Sequence, residues 1–274
     1  MTVTAAVLQY CARGSAEDTL AEITPLIGAA AQDGAQLICL PECASFIAEN
    51  RTVLRELAET EHQSPTLDHL RNLARQHQVI LSVGSLLMSQ GDDRRLVNRG
   101  YLISADGHIL TRYDKIHMFD ASVDDGQTYQ ESRHFSPGDR LVHLDTPLGH
   151  IGMSICYDLR FPHLYRQLAL RGAEILLAPS AFTAVTGAAH WHVLLRARAI
   201  ETGCYVLAAA QFGTHADGRK TYGHALIVDP WGRVIADAQD MASGYVMAPL
   251  IREQVTTARR AISSLTHNPA YDGA

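Results

Sequence analysis

The segment GAQLICLP at residues 34–41 returns, altered but traceable, as GAEILLAP at residues 172–179. In both copies Gly-Ala leads into an apolar run and a proline ends it. A short apolar run bounded in this way reads as a strand buried on both faces, because proline cannot donate to a ladder. Other pairs keep the same order. QVILSVG (78–84) matches CYVLAAA (204–210), and YLISADGHIL (101–110) matches ALIVDPWGRVI (225–235) after one insertion. AAVLQ (5–9) stands to its half as GMSIC (152–156) stands to the other, with offsets between about 125 and about 147 residues. Any two buried strands share composition, but the retained order and the repeated Gly-Ala and Pro favour duplication of a β-α-β half. Two such halves would make one two-sheet α/β domain with helices outside. No Pro- or Ser-rich linker separates them, so residues 1–274 read as one domain, with a core to about residue 268 and a short tail.

Local signals agree. Residues 2–9 read as a strand and 17–33 as a helix. Residues 65–77 read as a helix with Ser64 as N-cap and Pro65 in its first turn. Strands follow at 79–87 and 98–110, the second turning at Asp106-Gly107. Beyond residue 251 the chain is polar, with a helix through Arg260 and then a loop that docks elsewhere.

Composition removes several classes. A net charge of −6 argues against a nucleic-acid binder, which shows a basic stripe. An odd set of five cysteines in a chain of 274 residues argues against a disulfide framework and suits reduced thiols in the cytoplasm. Cys39 and Cys43 have no second pair at zinc spacing, so no metal site is expected there. The N-terminus lacks a basic, apolar leader, and no run reaches the ~20 apolar residues that span a bilayer.

Four groups that can do chemistry stand at abrupt element ends: Glu42, Lys115, Glu131 and Cys156. A thiol attacks as a thiolate, so Cys156 needs a base or a cation nearby. Glu42 can serve as base and acid if desolvation tunes it upward, and Lys115 can stabilise an oxyanion as a point charge. The Tyr157 N–H becomes a second donor if the strand breaks at Cys156. Each residue also has a structural reading. Cys156 fills a core, Glu42 caps a helix, Lys115 is solvated, Glu131 is a loop carboxylate, and Arg160 pairs with Asp158. The elbow, phosphate-loop, dinucleotide and zinc-helix motifs are missing. None of the 14 histidines is singled out to face Cys156.

The stretches LICLPE, YDKIHMFD, ICYDLRFP and GAEILLAPSAF, in this order, resemble the nitrilase superfamily of carbon–nitrogen hydrolases over nearly the whole chain. The resemblance implies a four-layer α-β-β-α sandwich with an internal pseudo-two-fold repeat. It implies a Glu42–Lys115–Cys156 triad with Glu131 as a second glutamate. It also implies a homodimer or larger assembly, a small amide substrate and no metal or organic cofactor. The segment from Pro179 to His215 and YGHALIVDPWG are similar to the branch that hydrolyses deaminated glutathione. TYQESRHFSPGD resembles the omega-amidase branch, which acts on 2-oxoglutaramate. Tyr157, Arg160, Phe182, Thr183 and Thr186 are expected substrate contacts, with Arg160 on a carboxylate and the Phe182–Thr186 segment on the leaving group.

Overall fold

A computed structural model describes residues 2–91, 95–123 and 127–267. The proposed tail from 268 onward lies outside the described residues. The first half runs β1 (Thr2–Tyr10), α1 (Ala16–Gln32), β2 (Leu37–Cys39), α2 (Arg51–Leu57) and β3 (Glu59–Thr60). It continues through α3 (Pro65–His77), β4 (Ile80–Ser89), β5 (Val97–Ile103) and β6 (Ile109–Asp114). A small hairpin, β7 (Asp120–Ser122) with β8 (Thr128–Gln130), and β9 (His143–Thr146) lead to the second half. That half runs β10 (Gly149–Met153), α4 (Pro162–Leu170), β11 (Ile175–Leu177), α5 (Ala184–Thr202) and β12 (Tyr205–Ala208). Then come β13 (Ala210–Thr214), β14 (Lys220–Tyr222), β15 (Leu226–Val228) and β16 (Val234–Asp237). β17 (Gly244–Ile251) and α6 (Arg252–Ala261) close the described chain.

The halves share one topology. In the first, β1, β2 and β4 are parallel, then β5 and β6 return antiparallel. In the second, β10, β11 and β12 are parallel, then β15 and β16 return antiparallel. Backbone bonds repeat as well. Gln36 N–H donates to Thr4 O (2.8 Å) where Glu174 N–H donates to His150 O (2.8 Å). Ile80 N–H donates to Gln36 O (2.9 Å) where Tyr205 N–H donates to Glu174 O (2.9 Å).

These bonds correct two alignments. Ile80 corresponds to Tyr205, not Val206, and Ala5 to Ile151, not Gly152, one residue from the match read in the sequence. The physical reason is that a strand buried on both faces has no polar face to mark its register. A one-residue slip then leaves apolar residues on apolar residues.

Alternation along β1 shows the layers. Val3, Ala5 and Val7 belong to the core shared with β10, β11, β12, α4 and α5. Ala6, Leu8 and Tyr10 belong to a second core under α1 and α3. Helix, sheet, sheet and helix are therefore stacked, as in the α-β-β-α sandwich. The signals around α3 hold, since Ser64 Oγ accepts from Leu67 N–H at 2.9 Å with Pro65 in the first turn. The short α2 was not foreseen. It is only seven residues long, and its apolar face is the partly buried pair Leu54 and Leu57, too short a run to show a helical period. α6 ends at Ala261, and the following turn docks through buried Leu265.

Candidate active site

Two loops meet where the parallel strands end. Leu40-Pro41-Glu42 leaves β2, and Ala178-Pro179 leaves the matching β11. They pass so close to Gly84 that a Cβ there would lie 2.2 Å from Leu40 O, 2.4 Å from Pro41 O and 2.5 Å from the Pro179 side chain. Only a residue without a Cβ permits that approach.

β10 ends at Met153, and Cys156 is the first residue of a 3-10 turn, Cys156–Arg160. The strand therefore stops three residues earlier than read in the sequence. The Cys156 φ is +48°, a left-handed conformation that costs a non-glycine residue roughly 1–2 kcal/mol. Buried Asp158 holds the turn. Its carboxylate accepts from Ile155 N–H (2.9 Å), Tyr113 OH (2.7 Å) and His117 N–H (3.0 Å), with His117 Nδ1 at 2.6 Å. Those partners take up both oxygens, so the Arg160–Asp158 pair does not form.

The four predicted groups converge. Lys115 Nζ donates to Glu42 Oε1 (2.9 Å) and to both Glu131 oxygens (2.9 Å each). Ala181 N–H donates to Glu42 Oε2 (2.9 Å), which ties the carboxylate of one half to the loop of the other. The Cys156 thiol lines the same cavity as Glu42, within electrostatic reach of its carboxylate. Phe119 N–H fixes Glu131 Oε2 at 2.6 Å. Sequence reasoning missed Asn98, whose Nδ2 donates to Glu42 Oε1 (2.9 Å) and Glu131 Oε1 (3.4 Å). Its signal was an asparagine inside an apolar strand pattern, where that residue is depleted.

Electrostatics follow from this packing. The upward tuning of Glu42 expected from desolvation does not hold: burial pushes it up, but the Lys115 ammonium and its bond, then the Cys156 thiol and the Ala181 N–H, hold it below its usual 4.5. Burial, then the Glu42 charge, push the Cys156 thiol well above 9, with Lys115 only partly opposing. Burial works against the Lys115 charge, yet Glu131 and Glu42 keep it protonated far into the alkaline range. The resting site is therefore a thiol, a carboxylate and an ammonium.

These groups line one cavity of about 320 Å³ that also takes in Thr183, Arg51 and Arg219. Among the other expected contacts, Tyr157, Arg160, Phe182 and Thr186 do not line it. Arg160 Nη1 lies 3.2 Å from His190 Nδ1, and its guanidinium sits 5.1 Å from the Phe182 ring centroid. Phe182 packs on Trp191, and the Tyr157 ring packs on Phe119 and Phe161. The Thr183 hydroxyl caps α5 through Thr186 N–H (3.3 Å) and bonds the Thr186 hydroxyl (2.8 Å), so both hydroxyls serve the helix start. All five cysteines are free thiols. Among the described residues one trio, His192, His224 and Asp237, brings possible metal-ligand atoms within 4.8 Å of one another. These residues do not line the cavity, and their contacts fasten α5 to β16.

Fold and site together define a hydrolase of carbon–nitrogen bonds. A family model described as carbon-nitrogen hydrolase matches residues 4–260, and the chain belongs to that family. Within it, the chain is 41% identical over 265 residues to a deaminated glutathione amidase of Yersinia enterocolitica, covering 96% of this chain and 92% of that protein. The crystal structure of the Caenorhabditis elegans NitFhit protein superposes with a TM-score of 0.91 at 36% identity, over 97% of this chain and 65% of that longer one. The Saccharomyces cerevisiae Nit3 structure, from the nitrilase superfamily, superposes with a TM-score of 0.85 at 28% identity, covering 95% and 94% of the two chains.

Proposed function

We propose that the protein hydrolyses a short carboxylated amide through a thioester on Cys156. The carrying observation is buried Lys115 bonded to both Glu42 and Glu131 in the wall of the cavity that Cys156 also lines. Glu42 takes the thiol proton as sulfur attacks the amide carbon. The Cys156 N–H is committed to Pro179 O (2.9 Å), so the Tyr157 N–H and Lys115 Nζ are the donors assigned to the oxyanion. Glu42 gives its proton to the departing amine as the C–N bond breaks. Glu42 then takes a proton from water, and the hydroxide attacks the thioester. The acid leaves, and sulfur takes that proton back from Glu42. Glu131 holds Lys115 and the amide in place.

Deaminated glutathione is the preferred substrate in this reading, giving 2-oxoglutarate and cysteinylglycine. The names of the relatives support it. A second reading, an omega-amidase acting on 2-oxoglutaramate, is supported by the TYQESRHFSPGD segment, since Thr128–Glu131, His134 and Phe135 line the cavity. Among the residues expected to hold substrate, Thr183 lines the cavity and stays the proposed contact on the leaving side, while Arg160, Phe182 and Thr186 lie outside it and take no direct contact in this reading. Another nitrilase or a carbamoyl hydrolase would use the same triad and is told apart by its products, and an inactive binding or assembly subunit is disfavoured by the intact site. Competing both substrates and trapping the acyl-enzyme by mass spectrometry tests the proposal. A thioester on Cys156 with faster release of cysteinylglycine is expected. Preference for 2-oxoglutaramate moves the protein to the second reading, and no acyl-enzyme with either overturns both.

The same reading makes the chain one domain, cytoplasmic, and a homo-oligomer. Free thiols support the compartment, and exposed apolar residues on α5, Val193 and Ile200 among them, support assembly. No helix among the described residues is long and apolar enough to cross a membrane.

A further inference from the structure

We propose that Arg219, braced by Asp217, is a carboxylate-binding subsite in the wall of the catalytic cavity, selecting amides that carry a carboxylate away from the scissile bond. The inference rests on the amidase reading above and goes on to name what the cavity selects. Both residues line the cavity together with Glu42 and Cys156. They sit in the turn between β13 and β14. That turn is closed by His215 N–H to Arg219 O and Gly218 N–H to His215 O, each 2.9 Å.

Asp217 grips Arg219 from one side only. Its Oδ1 accepts from the Arg219 backbone N–H (3.0 Å), and its Oδ2 accepts from Nε (2.7 Å). A guanidinium has five N–H donors, and one is used. Among the described residues no acceptor engages the four on Nη1 and Nη2. The side chain is 28% exposed, so it is not a freely solvated surface cation. It lies within electrostatic reach of Glu42 and Cys43.

The other cations of the cavity are poorer anchors. Lys115 is already shared by two carboxylates and is assigned to the oxyanion. Arg51 is exposed in the first turn of α2 and has no fixed partner among the described residues. Glu42 and Glu131 repel an incoming carboxylate from the reacting end of the cavity. Among the described residues of the cavity wall, Arg219 is the guanidinium held in place, and its free edge can meet the carboxylate as a planar fork with two parallel bonds. Asp217 holds that fork before substrate arrives, so little side-chain freedom is lost on binding. A neutral analogue leaves the terminal amino groups desolvated and unpaired, which is the basis of rejection.

The carboxylate has two possible sources in a deaminated peptide, the 2-oxo acid end and the end of the leaving group. The test therefore uses deaminated glutathione and two analogues, each with one of these carboxyl groups converted to a carboxamide. kcat/KM is measured for the parent, Arg219→Gln and Arg219→Lys. The parent is expected to prefer the acid at one end. Arg219→Gln should shrink that acid-to-amide ratio at least about tenfold, mainly through KM, and leave the ratio at the other end unchanged. Arg219→Lys, which keeps the charge but not the fork, should fall between. Equal losses on acid and amide, or a loss confined to kcat, would mean that Arg219 only supports the loop, and would overturn the subsite. If the parent turns over none of the three, the amidase reading fails by itself. Protection of Cys156 from iodoacetamide by glutarate then decides the subsite. Protection at least tenfold weaker in Arg219→Gln supports it, and equal protection refutes it.

Discussion

At the scale of single residues, the site is a thiol kept protonated beside a carboxylate kept ionised. Cys156→Ala should abolish turnover and change stability by only about 1–2 kcal/mol, since one sulfur is removed from a small side chain. Turnover at the parental rate would remove Cys156 as nucleophile. The acid limb of kcat/KM should lie below pH 4.5, because Glu42 must be ionised and its folded value is lowered. Its contribution to stability is likewise complete above 4.5 and fades as pH falls through the lower folded value. No rise in rate should mark pH 9, since the thiol is pushed above that value and its proton leaves to Glu42. Lys115→Met should lower kcat at least ~10²-fold. It should also move the acid limb upward, because the ammonium that lowers Glu42 is gone while its burial remains. A pH profile of the residual activity reads that shift, and an unmoved limb would separate Lys115 from Glu42.

At the scale of elements, function depends on how strand ends and turns are braced. Asp158 is fully buried and accepts four bonds that hold the turn beginning at Cys156. Asp158→Asn replaces one acceptor oxygen with a donor that faces other donors. A loss of about 3 kcal/mol in denaturant unfolding is expected, with a fall in kcat as Cys156 leaves its left-handed conformation. An unchanged kcat would show that the turn holds without it. Gly84→Ala drives a Cβ into two carbonyl oxygens and a proline ring. None of these is the end of a flexible side chain, so about 2–3 kcal/mol should be lost, and the Glu42 loop should shift with it. A lower melting temperature together with reduced turnover checks this.

At the scale of the whole molecule, α5 carries a buried stripe and an exposed one. Val193 (67% exposed) and Ile200 (51% exposed) are seven residues apart and share a face. Sedimentation should therefore give a mass above the 30.0 kDa of one chain. Val193→Asp should shift the protein toward monomer, and a parent that sediments as monomer would remove the assembly proposed here.

By itself the sequence determined the layered α/β plan and marked four candidate residues that the structure brings into one cavity. Strands buried on both faces, Gly-Ala leads and proline stops are local signals, and the chemistry of Glu, Lys and Cys travels with the side chain. Tertiary structure alone decided the rest. The register between the halves was invisible because apolar residues replace one another without cost across a slip. The end of β10 at Met153 depends on Asp158 reaching back to Ile155 and across to Tyr113 and His117. Asn98 joins Glu42 and Glu131 from residues 56 and 33 positions away, and Arg219 reaches the cavity from a turn in the opposite half. Such contacts are set by distance in space after two cores have closed, and no pattern of neighbours along the chain encodes them.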